Sequence, residues 1–102
     1  MGSIRLLSSH GVLQLAATEF FFDLEDLPLI ESRSWYRDKD GYLVSCYYFN
    51  GRRRFVRFHR IVMKAKPGQF VDHINKDRAD NRKCNLRCCR RAENDRNRGT
   101  YV

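Results

Sequence analysis

The chain has 102 residues, of which 31% are charged and 42% hydrophobic, and its formal net charge is +8. This length and balance predict a single soluble globular domain with a modest core. They exclude a transmembrane helix, because no run approaches the ~20 consecutive apolar residues that a span requires. The first residues also lack the basic and apolar regions of a signal peptide, so we expect a cytoplasmic protein with no membrane partner.

The charge is divided unevenly along the chain. Residues 1–50 carry four Lys or Arg against seven Asp or Glu, whereas residues 51–102 carry sixteen against five. The two halves therefore have net charges of −3 and +11. A basic region of this density is typical of nucleic-acid-binding proteins, and aromatic and amide side chains alternate with its charges. We predict a nucleic-acid partner, with a merely solvated basic surface as the alternative.

The first part of the chain is predicted to be rich in β-strands. Ile4–Leu7 and Val12–Ala16 flank a Gly-containing turn and predict a hairpin, and Glu19–Phe22 is a candidate third strand. Asp23 is a candidate N-cap for a short helix that reaches about Glu31.

A second hairpin is predicted more strongly. Ser34–Arg37 is a candidate strand, and Tyr42–Phe49 and Arg52–Phe58 flank Asn50-Gly51, the strongest short-range hairpin signal. The returning strand alternates arginines with apolar residues, so one of its faces can be basic. The sequence leaves two interpretations of this strand open. Its basic face could lie against phosphates, or it could simply be a solvated face of the sheet. The candidate DNA contacts here are Arg52, Arg53, Arg54 and Arg57.

The basic half ends in a predicted ββα unit. A short helix at His59–Lys66 is followed by a strand, a long polar loop, a second strand and a helix, at Phe70–His73, Asn75–Cys84, Asn85–Cys89 and Arg90–Arg98. We therefore predict an α+β fold, with N-terminal antiparallel hairpins or a small sheet followed by this unit. Residues 1–58 would be a β-rich DNA-contact part and residues 59–102 the catalytic part of one domain.

The ββα unit brings chemically active side chains together. Because its helix packs across the two strands, Asp72, His73 and Asn94 are expected to converge. Carboxylate and amide oxygens suit Mg²⁺ or Mn²⁺, so Asp72 and Asn94 are candidate metal ligands. His73 is a candidate general base on a water molecule. Asn85 would hold the loop or orient the His73 ring. Metal, base and basic side chains together predict a phosphodiesterase.

The four cysteines do not predict a metal site. Cys84, Cys88 and Cys89 lack the spacing of a zinc ribbon, and no second Cys-x₂-Cys pair exists. A structural Zn²⁺ is therefore unlikely on sequence grounds, and reduced thiols are expected in the cytosol.

Several segments resemble the HNH homing-type endonucleases of phages and bacteria. The resemblance covers about Trp35 to Gly99, and the motifs occur in the family's order and spacing. They are Phe58-His59-Arg60-Ile61-Val62-Met63, Val71-Asp72-His73-Ile74-Asn75, Asp80-Asn81-Arg82, Asn85-Leu86-Arg87, Glu93-Asn94 and Asn97-Arg98.

This resemblance implies a ββα-metal active site with one divalent cation that cleaves or nicks double-stranded DNA. It makes His73 the general base, Asp72 a metal ligand and Asn85 the central Asn of the motif. Asn94 stands at the last motif position, as in the H-N-N subgroup, which favours Mg²⁺ or Mn²⁺ over Zn²⁺. Asn97, one helical turn later, is the alternative ligand. Arg87 or another nearby Arg would clamp the scissile phosphate. The remaining candidate DNA contacts are Arg60, Arg82, Arg87 and Arg98.

Two other classes of function are compatible with the sequence. A DNA-binding protein could keep the fold without cutting, and a structural protein could use its basic half to bind an acidic partner. One active site per chain predicts nicking by a monomer, whereas a double-strand break would need a homodimer or two successive events. The resemblance places the protein in a bacterium or in the bacterial host of a phage.

Overall fold

The protein, described by a computed structural model for residues 2–90, has a small α+β fold. Three separate antiparallel sheets are joined by short helical segments. The α+β class and the antiparallel sheets were predicted correctly. In the described part, no helix is long and apolar enough to cross a membrane.

The first sheet contains β1 (Ser3–Leu6), β2 (Gly11–Leu15) and β3 (Thr18–Phe22) in sequence order. The predicted hairpin and third strand are both present. A Cβ on Gly11 would lie 2.2 Å from the Phe22 ring, so only glycine fits between the strands at this point.

The segment after β3 forms a 3₁₀ turn (Leu24–Asp26) and then α1 (Leu27–Ser32). Pro28 lies in the first turn of α1, where its missing N–H is not needed. Asp23 precedes the 3₁₀ turn as predicted, but its side chain makes no capping hydrogen bond to that turn. Its carboxylate instead accepts a 2.9 Å hydrogen bond from the backbone N–H of Lys83. The N-cap position of Asp23 was thus predicted correctly, but its carboxylate binds a distant part of the chain instead of capping the turn.

The second sheet contains β4 (Trp35–Arg37), β5 (Leu43–Phe49) and β6 (Arg52–Arg57). Asn50 and Gly51 connect β5 to β6 with φ values of 52° and 73°. Two consecutive positive φ values are what a two-residue type I′ turn requires, which confirms the Asn-Gly prediction.

The third sheet contains β7 (Gln69–His73) and β8 (Leu86–Arg90), and α2 (Phe58–Val62) precedes it. A second 3₁₀ turn, Lys83–Asn85, ends the long loop between the two strands. Asn85 therefore lies in this turn and not in the strand where it was predicted. The helix of the ββα unit was predicted at Arg90–Arg98, but Arg90 is the last residue of β8. The rest of that prediction, residues 91–98, lies outside the described residues.

One hydrophobic core joins the three sheets. Its buried side chains come from every sheet and from both α-helices, and Phe20, Phe22 and Phe58 are fully enclosed. The Trp35 ring packs edge-on against Phe58 at 5.2 Å between centroids. The core therefore fixes the N-terminal sheet against the segment that carries His73. Its buried members are Leu13, Phe20, Phe22, Ile30, Trp35, Leu43, Phe58, Val62, Val71 and Leu86.

Candidate active site

His73 is the last residue of β7, opposite Leu86 of β8, and its side chain is only 1% exposed. Its Nε2 lies 2.8 Å from Oδ1 of Asn81. An amide oxygen can only accept, so with this contact Nε2 carries the proton and Nδ1 holds the lone pair. Nδ1 is buried and has no hydrogen-bond partner in the described part of the chain. The ring is thus held in the tautomer in which Nδ1 can act as a base.

Burial lowers the pKa of His73 below its ordinary value, since an imidazolium loses hydration inside the protein. The hydrogen bond to Asn81 and the nearby carboxylates of Asp72, Asp77 and Asp80 oppose this effect. The lowered pKa keeps the imidazole neutral at pH 7, which is the form that can accept a proton.

Asn81 is held in place by the N-terminal sheet. Its backbone N–H donates to the carbonyl of Phe21 at 2.9 Å, and the N–H of Phe21 donates to the carbonyl of Ala79 at 2.8 Å. These bonds form a parallel bridge between β3 and the loop at Phe21 and Asp80. The side chain of Asn81 is itself 1% exposed. Asn81 lies within the predicted polar loop Asn75–Cys84, and nothing in the local sequence indicated its contact with His73.

Asn85 closes the loop between β7 and β8. Its Nδ2 donates to Oδ1 of Asn75 at 2.8 Å and to the carbonyl of Asp80 at 3.0 Å. Its backbone carbonyl accepts from the N–H of Ile74 at 2.8 Å. Of the two predicted roles, holding the loop agrees with these contacts. The contacts do not agree with the other predicted role, orienting the His73 ring, because Asn81 makes the hydrogen bond to that ring.

Asp72 precedes His73 on β7 and is 2% exposed. Since side chains alternate along a strand, its carboxylate lies on the face opposite the imidazole. It pairs with the guanidinium of Arg87, its direct cross-strand neighbour on β8. The Arg87 side chain is 54% exposed. A half-exposed cation therefore covers the predicted metal ligand from the solvent side.

Two more aromatic rings surround His73. The His59 ring lies 4.9 Å from it and the Tyr42 ring 6.1 Å, both measured between centroids. His59 is 2% exposed, and burial, helped by the charges of His73, Arg57 and Arg60, lowers its pKa to about 3. His59 is therefore neutral at pH 7 and packs between the rings of Tyr42 and His73.

The predicted DNA-binding arginines have three different environments. Arg52, Arg53 and Arg54 are exposed on β6. The guanidinium of Arg57 lies 4.2 Å from the centroid of the Tyr42 ring. Arg78, which was not among the predicted contacts, lies over the same ring at 4.8 Å.

The other arginines bind protein groups. Arg60 donates to the carbonyl of Gln69 at 2.8 Å. Arg82 makes two 2.7 Å hydrogen bonds to the buried carboxylate of Asp80. Burial alone would raise the pKa of Asp80, but these bonds outweigh it and lower that pKa.

Residues 2–90 contain one predicted metal ligand, Asp72, but no cluster of metal-binding side chains. There, no three His, Cys, Asp or Glu side chains are placed to hold a metal ion, and none of the four cysteines forms a disulfide. Asp72 offers one hard oxygen ligand of the kind that Mg²⁺ and Mn²⁺ take. Asn94, Asn97 and Arg98 lie outside the described residues.

Comparison with known proteins relates this segment to a nuclease family. A family model described as HNH endonuclease matches residues 56–96, which contain His73, Asn81 and Asn85. An uncharacterized HNH endonuclease of Acanthamoeba polyphaga mimivirus is 32% identical over 83 residues, which is 78% of this chain and 43% of the relative. Both matches support an HNH endonuclease domain within this chain, at residues 56–96. The chain spans less than half the length of the curated relative that it matches, and no solved structure matches it.

The HNH match begins at Val56, so β1 to β5 and most of β6 lie outside it. Nevertheless the hydrogen bonds of β3 hold the loop of the HNH segment that carries Asn81. The N-terminal sheet therefore helps to position Asn81, the hydrogen-bond partner of His73.

Proposed function

We propose that the protein is a divalent-metal-dependent DNA endonuclease that hydrolyses phosphodiester bonds, one strand at a time, with His73 as the general base. The observation that carries this proposal is the buried His73 ring, whose Nε2 is bonded to Asn81 and whose Nδ1 has no partner in the described residues. An imidazole fixed in one tautomer, neutral at pH 7, is what a general base requires. The HNH match supports nuclease chemistry at this histidine.

In the proposed reaction, Nδ1 of His73 takes a proton from a water molecule as the water oxygen attacks phosphorus. The bond between phosphorus and the 3′-oxygen breaks on the opposite side. The hydrogen bond from Nε2 to Asn81 keeps the ring oriented and stabilises the imidazolium that forms. Asn85 contributes indirectly, because it closes the loop that carries Asn81.

The expected cofactor is Mg²⁺, with Mn²⁺ as the alternative, held by Asp72 together with Asn94 or Asn97. When bound, it would neutralise the negative charge that develops on the phosphate. Arg87 now neutralises Asp72, so this carboxylate and a phosphate are two alternative partners for the same guanidinium. We propose that Arg87 moves to the phosphate when a cation replaces it at Asp72.

The substrate we propose is double-stranded DNA, bound by the basic second half of the chain. The net charge of +11 in residues 51–102 supports a polyanionic partner. A monomer would nick one strand, and a homodimer would be needed to cut both strands in a single encounter.

The test is nicking of supercoiled plasmid in Mg²⁺ or Mn²⁺, beside an EDTA control. We expect open-circle product from the wild type, none in EDTA and none from His73→Ala. Leu6→Ser is the control, because Leu6 is 56% exposed on β1 and is not among the residues around His73. Nicking that persists in His73→Ala would contradict the assignment of the base.

One observation favours a second function, DNA binding without cleavage. Nδ1 of His73 is buried, and Asp72 is occupied by Arg87, so neither group is open to water in this conformation. Retarded but intact plasmid in every lane, with or without metal, would support this alternative.

A further inference from the structure

The outer end of the β5–β6 hairpin is an unusual surface. Four large aromatic side chains are exposed there: Tyr47 by 42%, Tyr48 by 72%, Phe49 by 57% and Phe55 by 57%. Single exposed apolar residues are common on soluble proteins, but a cluster of this size at one protrusion is typical of a binding surface. We call residues 46–55 the ribbon.

The ribbon is only two strands wide. β4 pairs with β5 no further than Ser45, so beyond that residue β5 has only β6 beside it. An antiparallel pair of this kind is a β-ribbon, the element besides an α-helix that the DNA major groove admits.

Both faces of the ribbon combine aromatic and cationic side chains. The register pairs Tyr47 with Arg54 and Phe49 with Arg52, which places these four on one face.

Tyr48 pairs with Arg53 and Cys46 with Phe55, which places these residues on the other face. There the Arg53 guanidinium lies 5.1 Å from the centroid of the Phe55 ring. A strand that lay flat on DNA would need only one such face. Two equivalent faces fit an element with nucleic acid on both sides.

The charge of the ribbon selects its partner. Residues 46–55 contain three consecutive arginines and no Asp or Glu. Burying these arginines against an apolar protein surface would cost their hydration without compensation. Phosphates provide that compensation, and the aromatic rings between the arginines can pack on base edges and thymine methyl groups.

We infer that the ribbon inserts into a groove of double-stranded DNA and contacts bases at a distance from the cleaved bond. This inference rests on the proposed DNA-cleaving function. β5 begins next to Tyr42, whose ring adjoins His73, and runs for seven residues. At ~3.3 Å per residue its far end lies roughly 20 Å from the active site. This length corresponds to about six base pairs along the duplex.

The test uses a double variant of the ribbon, Tyr48→Ser with Phe49→Ser. It removes one exposed ring from each face and leaves every arginine in place, so a loss of binding is not a general loss of charge. Leu6→Ser is the matched control, because Leu6 is 56% exposed but lies on β1 of another sheet. Circular dichroism would confirm that each variant is folded.

Binding is measured by fluorescence anisotropy in EDTA, on a labelled 30-base-pair duplex of mixed sequence and on one of its single strands. We expect the ribbon variant to bind the duplex roughly tenfold more weakly than the wild type. We expect a clearly smaller effect on the single strand, and no effect of Leu6→Ser on either probe.

Unchanged duplex affinity, or an equal loss on the duplex and the single strand, would overturn the inference. So would a ribbon variant that changes only the sedimentation coefficient, since the rings would then join two copies of this chain. Plasmid nicking by the wild type is run in parallel. Its absence would refute the nuclease proposal, whereas the comparison of affinities would still decide the role of the ribbon.

Discussion

Acid should destabilise the folded protein through His59. This side chain is 2% exposed and lies between the rings of Tyr42 and His73. Burial, with the nearby positive charges, lowers its pKa from 6.5 to about 3 in the folded state. In the unfolded chain the imidazole is hydrated and regains its ordinary pKa. Between these two values the unfolded state therefore binds a proton that the folded state does not.

The sign and size of the effect follow from this difference. The contribution of His59 is fully present above pH 6.5 and is lost as the pH falls towards 3. Each pH unit within this range costs about 1.4 kcal/mol for one proton. The free energy of unfolding should thus fall by about 2 kcal/mol between pH 8 and pH 5. His73, whose pKa is also lowered by burial, adds a loss of the same sign.

Urea denaturation at pH 8, 7, 6 and 5, followed by the fluorescence of Trp35, measures this loss. Trp35 is the single tryptophan of the chain and packs in the core, so its emission reports unfolding. His59→Phe keeps a ring of similar size but cannot take up a proton. Below pH 6.5, the free energy of unfolding of this variant should therefore fall less steeply than that of the wild type, by ~1.4 kcal/mol per pH unit. Leu6→Ser, at an exposed position of β1, is the control because it adds or removes no ionisable group, and it should leave the pH dependence unchanged.

Two results would refute this reasoning. One is a free energy of unfolding that stays constant from pH 8 to pH 5 in the wild type. The other is a His59→Phe variant with the wild-type pH dependence, because the proton would then be taken up elsewhere.

Two further variants test the active site. Asn81→Ala leaves Nε2 of the imidazole without its acceptor, so we expect plasmid nicking to slow by roughly 100-fold, the scale of an orienting hydrogen bond. Binding of a labelled duplex should change little, and an unchanged nicking rate would contradict the role of Asn81. Arg87→Ala removes the cation that competes for Asp72, so Mn²⁺ should bind more tightly in a titration followed by electron paramagnetic resonance. Equal or weaker Mn²⁺ binding would show that the guanidinium does not occupy the metal ligand.

Short-range sequence signals were sufficient to predict the strands and turns whose conformation depends on neighbouring residues. Asn50-Gly51 forms a two-residue turn because both residues tolerate positive φ, and this turn sets the register of the whole hairpin. The strand before the loop, β7, was predicted within one residue, because its apolar run is bounded by Pro67-Gly68 and by the polar loop. The turn and the strand bounds depend on residues that are adjacent in sequence, so they can be predicted without knowledge of the fold.

Contacts between segments that are distant in sequence could not be predicted from local sequence signals. Asn81 has the composition of a loop residue, and only the fold brings its side chain to His73. Asp23 has the pattern of an N-cap, but its carboxylate is bonded to Lys83, sixty residues later. Local propensity was overridden in both cases by a partner that appears only after the sheets pack together.

The geometry of His73 depends on a part of the chain outside the HNH match. The general-base assignment requires a fixed tautomer, the tautomer depends on the amide of Asn81, and the backbone of Asn81 is hydrogen-bonded to Phe21 of β3. A change that loosens β3 from the core would therefore release the backbone of Asn81 although no residue of the HNH segment had been substituted. The acidic N-terminal half thus has a structural reason to accompany the basic half. It holds the residue that orients the histidine, while the basic half supplies the histidine and the positive charge.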